Sequence, residues 1–125
     1  MTDFAITSDG LKFPNPHPLK KHEHNLKRKQ HKLSRKKKGS QNRNKARVKV
    51  AKVYAKIARV REDFHHKLSR KIVNENQVIV VEDLAVKNML KNPNLAKAIS
   101  DVGWGQFCTM LKMDLSMRSF VCPHC

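Results

Sequence analysis

The sequence predicts an α/β or α+β fold that is mostly helical and carries a long basic helical hairpin as an insertion. Two observations predict this class. Short β-rich segments at residues 4–13 and 78–81 lie on either side of a lysine-rich middle, and that middle has apolar residues at helical spacing. The chain of 125 residues is 39% hydrophobic, which is enough apolar content for the core of one domain. Only 6% of the residues are aromatic, so that core is expected to be modest.

The first predicted element is a β-hairpin at the N-terminus. Residues 4–7 form a candidate strand, Ser8-Asp9-Gly10 a tight turn, and residues 11–13 the returning strand. Prolines at positions 14, 16 and 18 then favour an extended connector, because proline fixes φ and lacks a backbone donor.

The second predicted element is an antiparallel helical hairpin. Between residues 19 and 38 the aliphatic side chains are Leu19, Leu26 and Leu33, seven residues apart, so a helix here has one narrow apolar seam. Gly39-Ser40 interrupts the pattern. A second, longer helix follows from residue 41 to about residue 74, where apolar side chains recur at three, four or seven; they are Val50, Tyr54, Ile57, Phe64, Leu68 and Ile72.

The positive charge is concentrated in this hairpin. The chain has a net charge of +17, and residues 19–61 carry all of it, with 18 Lys and Arg against Glu23. Such density favours a polyanion, and phosphate backbone is the expected ligand. The competing interpretation is a solvated helical face or a targeting tract. The candidate nucleic-acid contacts are Lys27, Arg28, Lys29, Arg35, Lys36, Lys37, Lys38, Arg43, Lys45 and Arg47. Tyr54 is the aromatic residue of the segment, so backbone contact is expected more than base stacking.

The C-terminal part predicts one strand and several short helices. Residues 78–81 form a β-branched run without alternation, typical of a strand buried on both faces. A short helix is predicted at 84–90, and Asn94 is a candidate N-cap for the next. Residues 103–105 (Gly-Trp-Gly) are expected to interrupt the helical structure before a helix at 106–112.

Glu82 follows the predicted strand directly, where acids often hold divalent metal. Two-metal phosphodiester hydrolysis requires several carboxylates, which one residue cannot supply. From spacing alone, the favoured interpretation is a polar strand end leading into an acidic first helical turn.

The cysteines and the apolar content indicate whether the chain is expected to bind zinc or a membrane. Cys122 and Cys125 have the spacing of half a zinc site, and Cys108 or His124 is a candidate further ligand. The seven histidines, most of which lie between residues 17 and 66, are expected to be exposed helix residues rather than ligands. No apolar run exceeds four residues and no signal peptide is evident, so no membrane partner is expected. A cytoplasmic protein, associated with the nucleoid if it binds DNA, is the expectation.

Several motifs resemble the transposon-encoded TnpB proteins, which are RNA-guided DNA endonucleases. The resemblance covers roughly residues 3–112 in order. It is carried by residues 4–10 (FAITSDG), 33–40 (LSRKKKGS), 63–69 (DFHHKLS), 78–84 (VIVVEDL), 88–90 (NML) and 104–107 (WGQF).

The resemblance implies a partial RuvC-like core of RNase H fold. Residues 1–18 would be its N-terminal hairpin, 19–75 the inserted basic helical hairpin, 76–112 a strand plus helices, and 113–125 half of a zinc knuckle. In the family three acids hold Mg²⁺, and Glu82 matches the second. The other two would fall before Met1 and beyond Cys125.

The expectation from the resemblance is therefore a truncated, internally deleted chain that binds DNA or guide RNA and lacks nuclease activity. In it Mg²⁺ would not be functional and the Zn²⁺ site would be incomplete. An intact homologue acting in trans is a possible partner. The alternative is a freestanding RNA-binding regulator that binds the guide RNA of such a homologue.

Overall fold

The computed structural model describes residues 3–82 and 84–119, with side chains as far as residue 117. This part of the chain contains two strands, β1 (Asp3–Ile6) and β2 (Lys12–Pro14), and five helices, α1 (Pro18–Ser34), α2 (Gln41–Glu75), α3 (Val86–Met89), α4 (Pro93–Val102) and α5 (Trp104–Ser119). The prediction of a mostly helical chain is confirmed. The RuvC-like core stays a prediction, because the described residues form a single two-stranded sheet.

The N-terminal β-hairpin is confirmed. β1 and β2 are antiparallel, with Ala5 opposite Phe13. In the turn, Gly10 has φ 79°, and its N–H donates to the Thr7 carbonyl at 2.9 Å. Positive φ costs glycine little because it has no Cβ, which is why the turn closes at this residue.

The chain divides into two compact units. The basic hairpin is His17–Arg61, and the core unit consists of the residues up to Pro16 and from Glu62 onward. Helix α2 supplies residues to both units.

Within the basic hairpin, α1 and the first part of α2 pack antiparallel along a thin apolar seam. The buried side chains of this seam are Leu26, Val50, Val53 and Ile57, and Leu19 and Leu33 pack against them. The predicted seven-residue leucine seam is therefore confirmed. Both helices depend on this contact, since helices with so few apolar residues gain most of their stability from tertiary packing.

The core unit is organised around aromatic side chains. Phe107 is 1% exposed, and its ring meets Phe4 edge-on at 5.0 Å between centroids. Trp104 packs against Phe107 at 5.5 Å. The remaining buried apolar side chains of this cluster are Leu68, Val73, Val102 and Leu111. The N-terminal β-hairpin, the C-terminal part of α2, α4 and α5 thus share one core.

The prediction of a buried strand at residues 78–81 is wrong. These residues have no strand hydrogen bonding, and Val78 and Val80 are 80% and 91% exposed. A β-strand is stabilised by neighbours that pair with its backbone. Among the described residues β1 and β2 pair only with each other, so the valine-rich segment has no ladder to join.

The C-terminal helices differ from prediction in their boundaries. Asn92, not Asn94, caps α4, with its Oδ1 accepting the Asn94 N–H at 3.0 Å, and Pro93 begins the helix. A missing N–H costs nothing at the first helical position, which is why proline starts rather than interrupts α4. Gly103 alone forms the break, with φ 64°. α5 then runs from Trp104 through Ser119, so residues 113–119 are helical.

The expectation of exposed histidines is wrong for His65, which is fully buried. Its Nε2 lies 3.0 Å from the Val102 carbonyl oxygen, and its ring contacts Phe4 at 5.4 Å between centroids. His65 therefore joins α2 to the end of α4 within the core unit. None of the described helices is long and apolar enough to cross a membrane.

Candidate nucleic-acid interface

The net charge of the chain resides in the basic hairpin. This unit holds 18 of the 27 Lys and Arg and one acid, Glu23, so its net charge is +17 and the rest of the chain is neutral overall. The division by contacts thus coincides with the division by charge. A folded unit with this imbalance attracts polyanions through its net positive charge.

Most of the predicted contact residues face solvent. Lys29 and Arg43 are half-buried, and the exposed ones are Lys27, Arg28, Arg35, Lys36, Lys37, Lys38, Lys45 and Arg47. The Lys27 ammonium pairs with Glu23 at 2.8 Å, one helical turn away. Exposed pairs of this kind contribute little to stability, so Lys27 can exchange its carboxylate for a phosphate.

Four consecutive basic residues, 35–38, lie in the loop between α1 and α2. Gly39 follows with φ 80°, and no atom would meet a Cβ there within 4 Å. Ser40 Oγ accepts the Arg43 N–H at 3.2 Å and donates to the Lys37 carbonyl at 2.8 Å. A serine hydroxyl that accepts the backbone N–H three residues later is the usual N-cap arrangement, so Ser40 caps the start of α2.

Arg43 is a structural tie as well as a charge. Its Nη1 donates to the Leu33 carbonyl at 3.3 Å and to the Lys36 carbonyl at 3.1 Å. Leu33 lies in the last turn of α1, where carbonyls carry partial negative charge, and Lys36 lies in the loop that follows, so the guanidinium joins the end of α1 and the loop to the start of α2. The sequence predicted Arg43 as a phosphate contact and did not anticipate these two hydrogen bonds to backbone carbonyls.

Tyr54 lies at the rim of the helical seam. Its ring is 48% exposed, and its hydroxyl accepts a hydrogen bond from Gln30 Nε2 at 2.8 Å. The contact joins α1 to α2 across the middle of the hairpin. The prediction of Tyr54 as a position of the apolar face of α2 is wrong, because its ring is half exposed and Val53 is buried in the seam instead.

Further basic residues on α2 were missed by sequence reasoning. Lys49, Lys52, Lys56 and Arg59 are all exposed. They are separated by uncharged residues and so do not form dense runs, which was the signal used for prediction. Their helical spacing was the signal that could have found them.

Glu82 is exposed and borders an apolar cavity of about 690 Å³ in the core unit. Within residues 3–82 and 84–119, no three His, Cys, Asp or Glu side chains are grouped as metal ligands. The other interpretation of Glu82, an acidic first helical turn, is wrong, because α3 begins at Val86 and its first turn has no acid. The described residues do not fit a two-metal Mg²⁺ site, which needs a cluster of carboxylates.

The candidate zinc ligands Cys122 and Cys125 lie outside the described residues, as does His124. Cys108 is half-buried in α5. Zinc binding by the C-terminal motif stays a prediction.

A family model described as "Probable transposase", OrfB_IS605, matches residues 1–93. A curated protein of Streptomyces pristinaespiralis, named "Putative RNA-guided DNA endonuclease", is 56% identical over 52 residues. That stretch is 42% of this chain and 13% of the relative, so the chain spans a small part of the relative's length. The matches confirm the resemblance to TnpB proteins, and the chain belongs to the OrfB_IS605 transposase family.

Proposed function

We propose that this chain binds nucleic acid through its basic hairpin as part of DNA transposition, and that by itself it does not cleave nucleic acid. The observation that carries the proposal is a folded unit, His17–Arg61, with 18 basic residues and one acid. Binding follows from electrostatics. Each phosphate that a Lys or Arg neutralises releases condensed cations, so affinity falls steeply as salt rises.

DNA and RNA are both candidate ligands. The name of the curated relative includes both RNA guidance and DNA cleavage. Basic side chains contact phosphates in either polymer, and such contacts carry no sequence information. Guide RNA and an intact homologue acting in trans are further candidate partners.

The absence of cleavage is proposed from Glu82. This residue matches one of the three acids that the family uses, and it is exposed. The described residues provide no cluster around it that would hold the two cations of phosphodiester hydrolysis. Binding through Lys and Arg requires no divalent metal, and Mg²⁺ competes for the phosphates, so we expect EDTA not to weaken binding.

The test is binding of the purified chain to labelled 30-nucleotide RNA and 30-base-pair DNA across a salt series with Mg²⁺, with bound and cleaved material both measured. We expect steep salt dependence and no cleavage. Substituting Lys36→Gln, Lys37→Gln and Arg47→Gln together should lower the slope of log affinity against log salt by roughly 0.7 to 0.9 per lost contact. Unchanged affinity would contradict binding by the hairpin. Cleavage that disappears in Glu82→Gln would refute the proposed inactivity.

A further inference from the structure

One side of α2 within the basic hairpin carries a line of five cations. They are spaced four, three, four and three residues apart; we call them the α2 stripe, and they are Lys45, Lys49, Lys52, Lys56 and Arg59. Because an α-helix has 3.6 residues per turn, this spacing places all five on one side. All five are exposed. The line is about 21 Å long at 1.5 Å per residue.

The stripe lies away from the apolar seam. At 100° per residue, its centre is about 110° around the helix from the buried positions Val50, Val53 and Ile57. The helix surface next to the stripe has small side chains that are also exposed, namely Val48, Ala51, Ala55 and Ala58. Small side chains let a ligand backbone approach the helix closely, with the longer lysines reaching beside it.

Aromatic side chains are missing from this surface. Tyr54, the aromatic residue of the basic hairpin, lies about 180° around the helix from the stripe and is bonded to Gln30. Proteins that bind single strands combine a basic groove with aromatic residues on which bases stack. The α2 stripe provides basic side chains for phosphates but no aromatic side chains on which bases could stack.

We infer that the α2 stripe lies along the phosphate backbone of a double helix, which it contacts without reading sequence. This inference rests on the proposed function and narrows its ligand to duplex nucleic acid. Within about 21 Å of axis a strand of B-form DNA has about six phosphates, and because the strand winds around the duplex only part of them face one side. The stripe is long enough to contact several of these phosphates at once. A duplex holds its phosphates in place, whereas a single strand must first be ordered, which costs conformational entropy.

The test compares two triple substitutions that remove the same charge. The stripe variant is Lys49→Gln, Lys52→Gln and Lys56→Gln, and the matched control is Lys36→Gln, Lys37→Gln and Lys38→Gln in the loop. Glutamine is a good helix former, so helix content measured by circular dichroism should be retained. A third variant, with Lys49, Lys52 and Lys56 each changed to Arg, keeps the charge and should keep the affinity.

Affinities are measured over a salt series for 20-base-pair DNA, 20-base-pair RNA, and 20-nucleotide single strands of each. On at least one duplex the stripe variant should lose about 2.7 from the salt slope, which is three contacts at about 0.9 each, and the control should lose less. A loss on one duplex type alone identifies whether DNA or RNA is the ligand. On single strands the two variants should be equal.

Equal losses for both variants on duplexes would overturn the inference while leaving nucleic-acid binding intact. So would a stripe variant that weakens single-strand binding as much as duplex binding. If the unsubstituted chain binds none of the four ligands in a salt-dependent way, the proposed function itself fails.

Discussion

Replacing Arg43 by Met removes the side-chain tie between the start of α2 and the end of α1. Nη1 of Arg43 donates at 3.3 Å to the Leu33 carbonyl and at 3.1 Å to the Lys36 carbonyl. Hydrogen bonds to charged groups contribute about 1.5–3 kcal/mol each when well made. Arg43 is half-buried and one of its bonds is long, so solvent screening reduces this. We expect Arg43→Met to lower the free energy of unfolding by about 1–2 kcal/mol.

The matched control is Arg47→Met. Arg47 lies one turn further along α2 and is exposed, so the same chemical change should cost less than about 0.5 kcal/mol. The assay is urea denaturation of the purified chain, followed by far-ultraviolet circular dichroism. With a slope of about 1 kcal/mol per M, the Arg43 variant should have a midpoint lower by about 1–2 M. Equal midpoints for the two variants would refute the assignment of Arg43 as a structural tie.

Two further predictions concern stability. Ser69 is fully buried and donates to Asp114 Oδ2 at 2.6 Å, so Ser69→Ala should cost about 1–2 kcal/mol in denaturation. Substituting Ser69→Ala in an Asp114→Asn background should cost less, and full additivity of the two changes would show that the bond contributes nothing. Gly39→Ala should cost about 1 kcal/mol, because φ is 80° and the cost is backbone strain without a clash. Gly105→Ala is the contrasting case, because Gly105 is helical with open space around it and should be neutral or stabilising. A Gly39→Ala protein as stable as the parent would contradict the strain argument.

The basic hairpin could be predicted because its determinants are local. The spacing of Leu19, Leu26 and Leu33 defines one face of α1, and Gly39 marks the turn. Charge is a property of composition, so the concentration of Lys and Arg in residues 19–61 needed no coordinates. The helical spacing of the α2 stripe was also present in the sequence, although the search for dense basic runs passed over it.

The strand at residues 78–81 failed because pairing is not local. A β-branched run indicates that a strand is favourable, but a neighbouring strand must be present to satisfy its backbone groups. Glu82 was expected at the end of that strand, and its role as a metal ligand stays a prediction.

The sequence by itself determined the helical hairpin, its leucine seam and the charge that the hairpin carries, because each depends on residues a few positions apart or on composition alone. Only the tertiary structure decided that Arg43 bonds to the end of α1, that His65 is enclosed by aromatic rings, and that Val78 and Val80 remain exposed. These outcomes depend on contacts, or missing contacts, between residues far apart in the sequence, and local residue spacing does not determine such contacts.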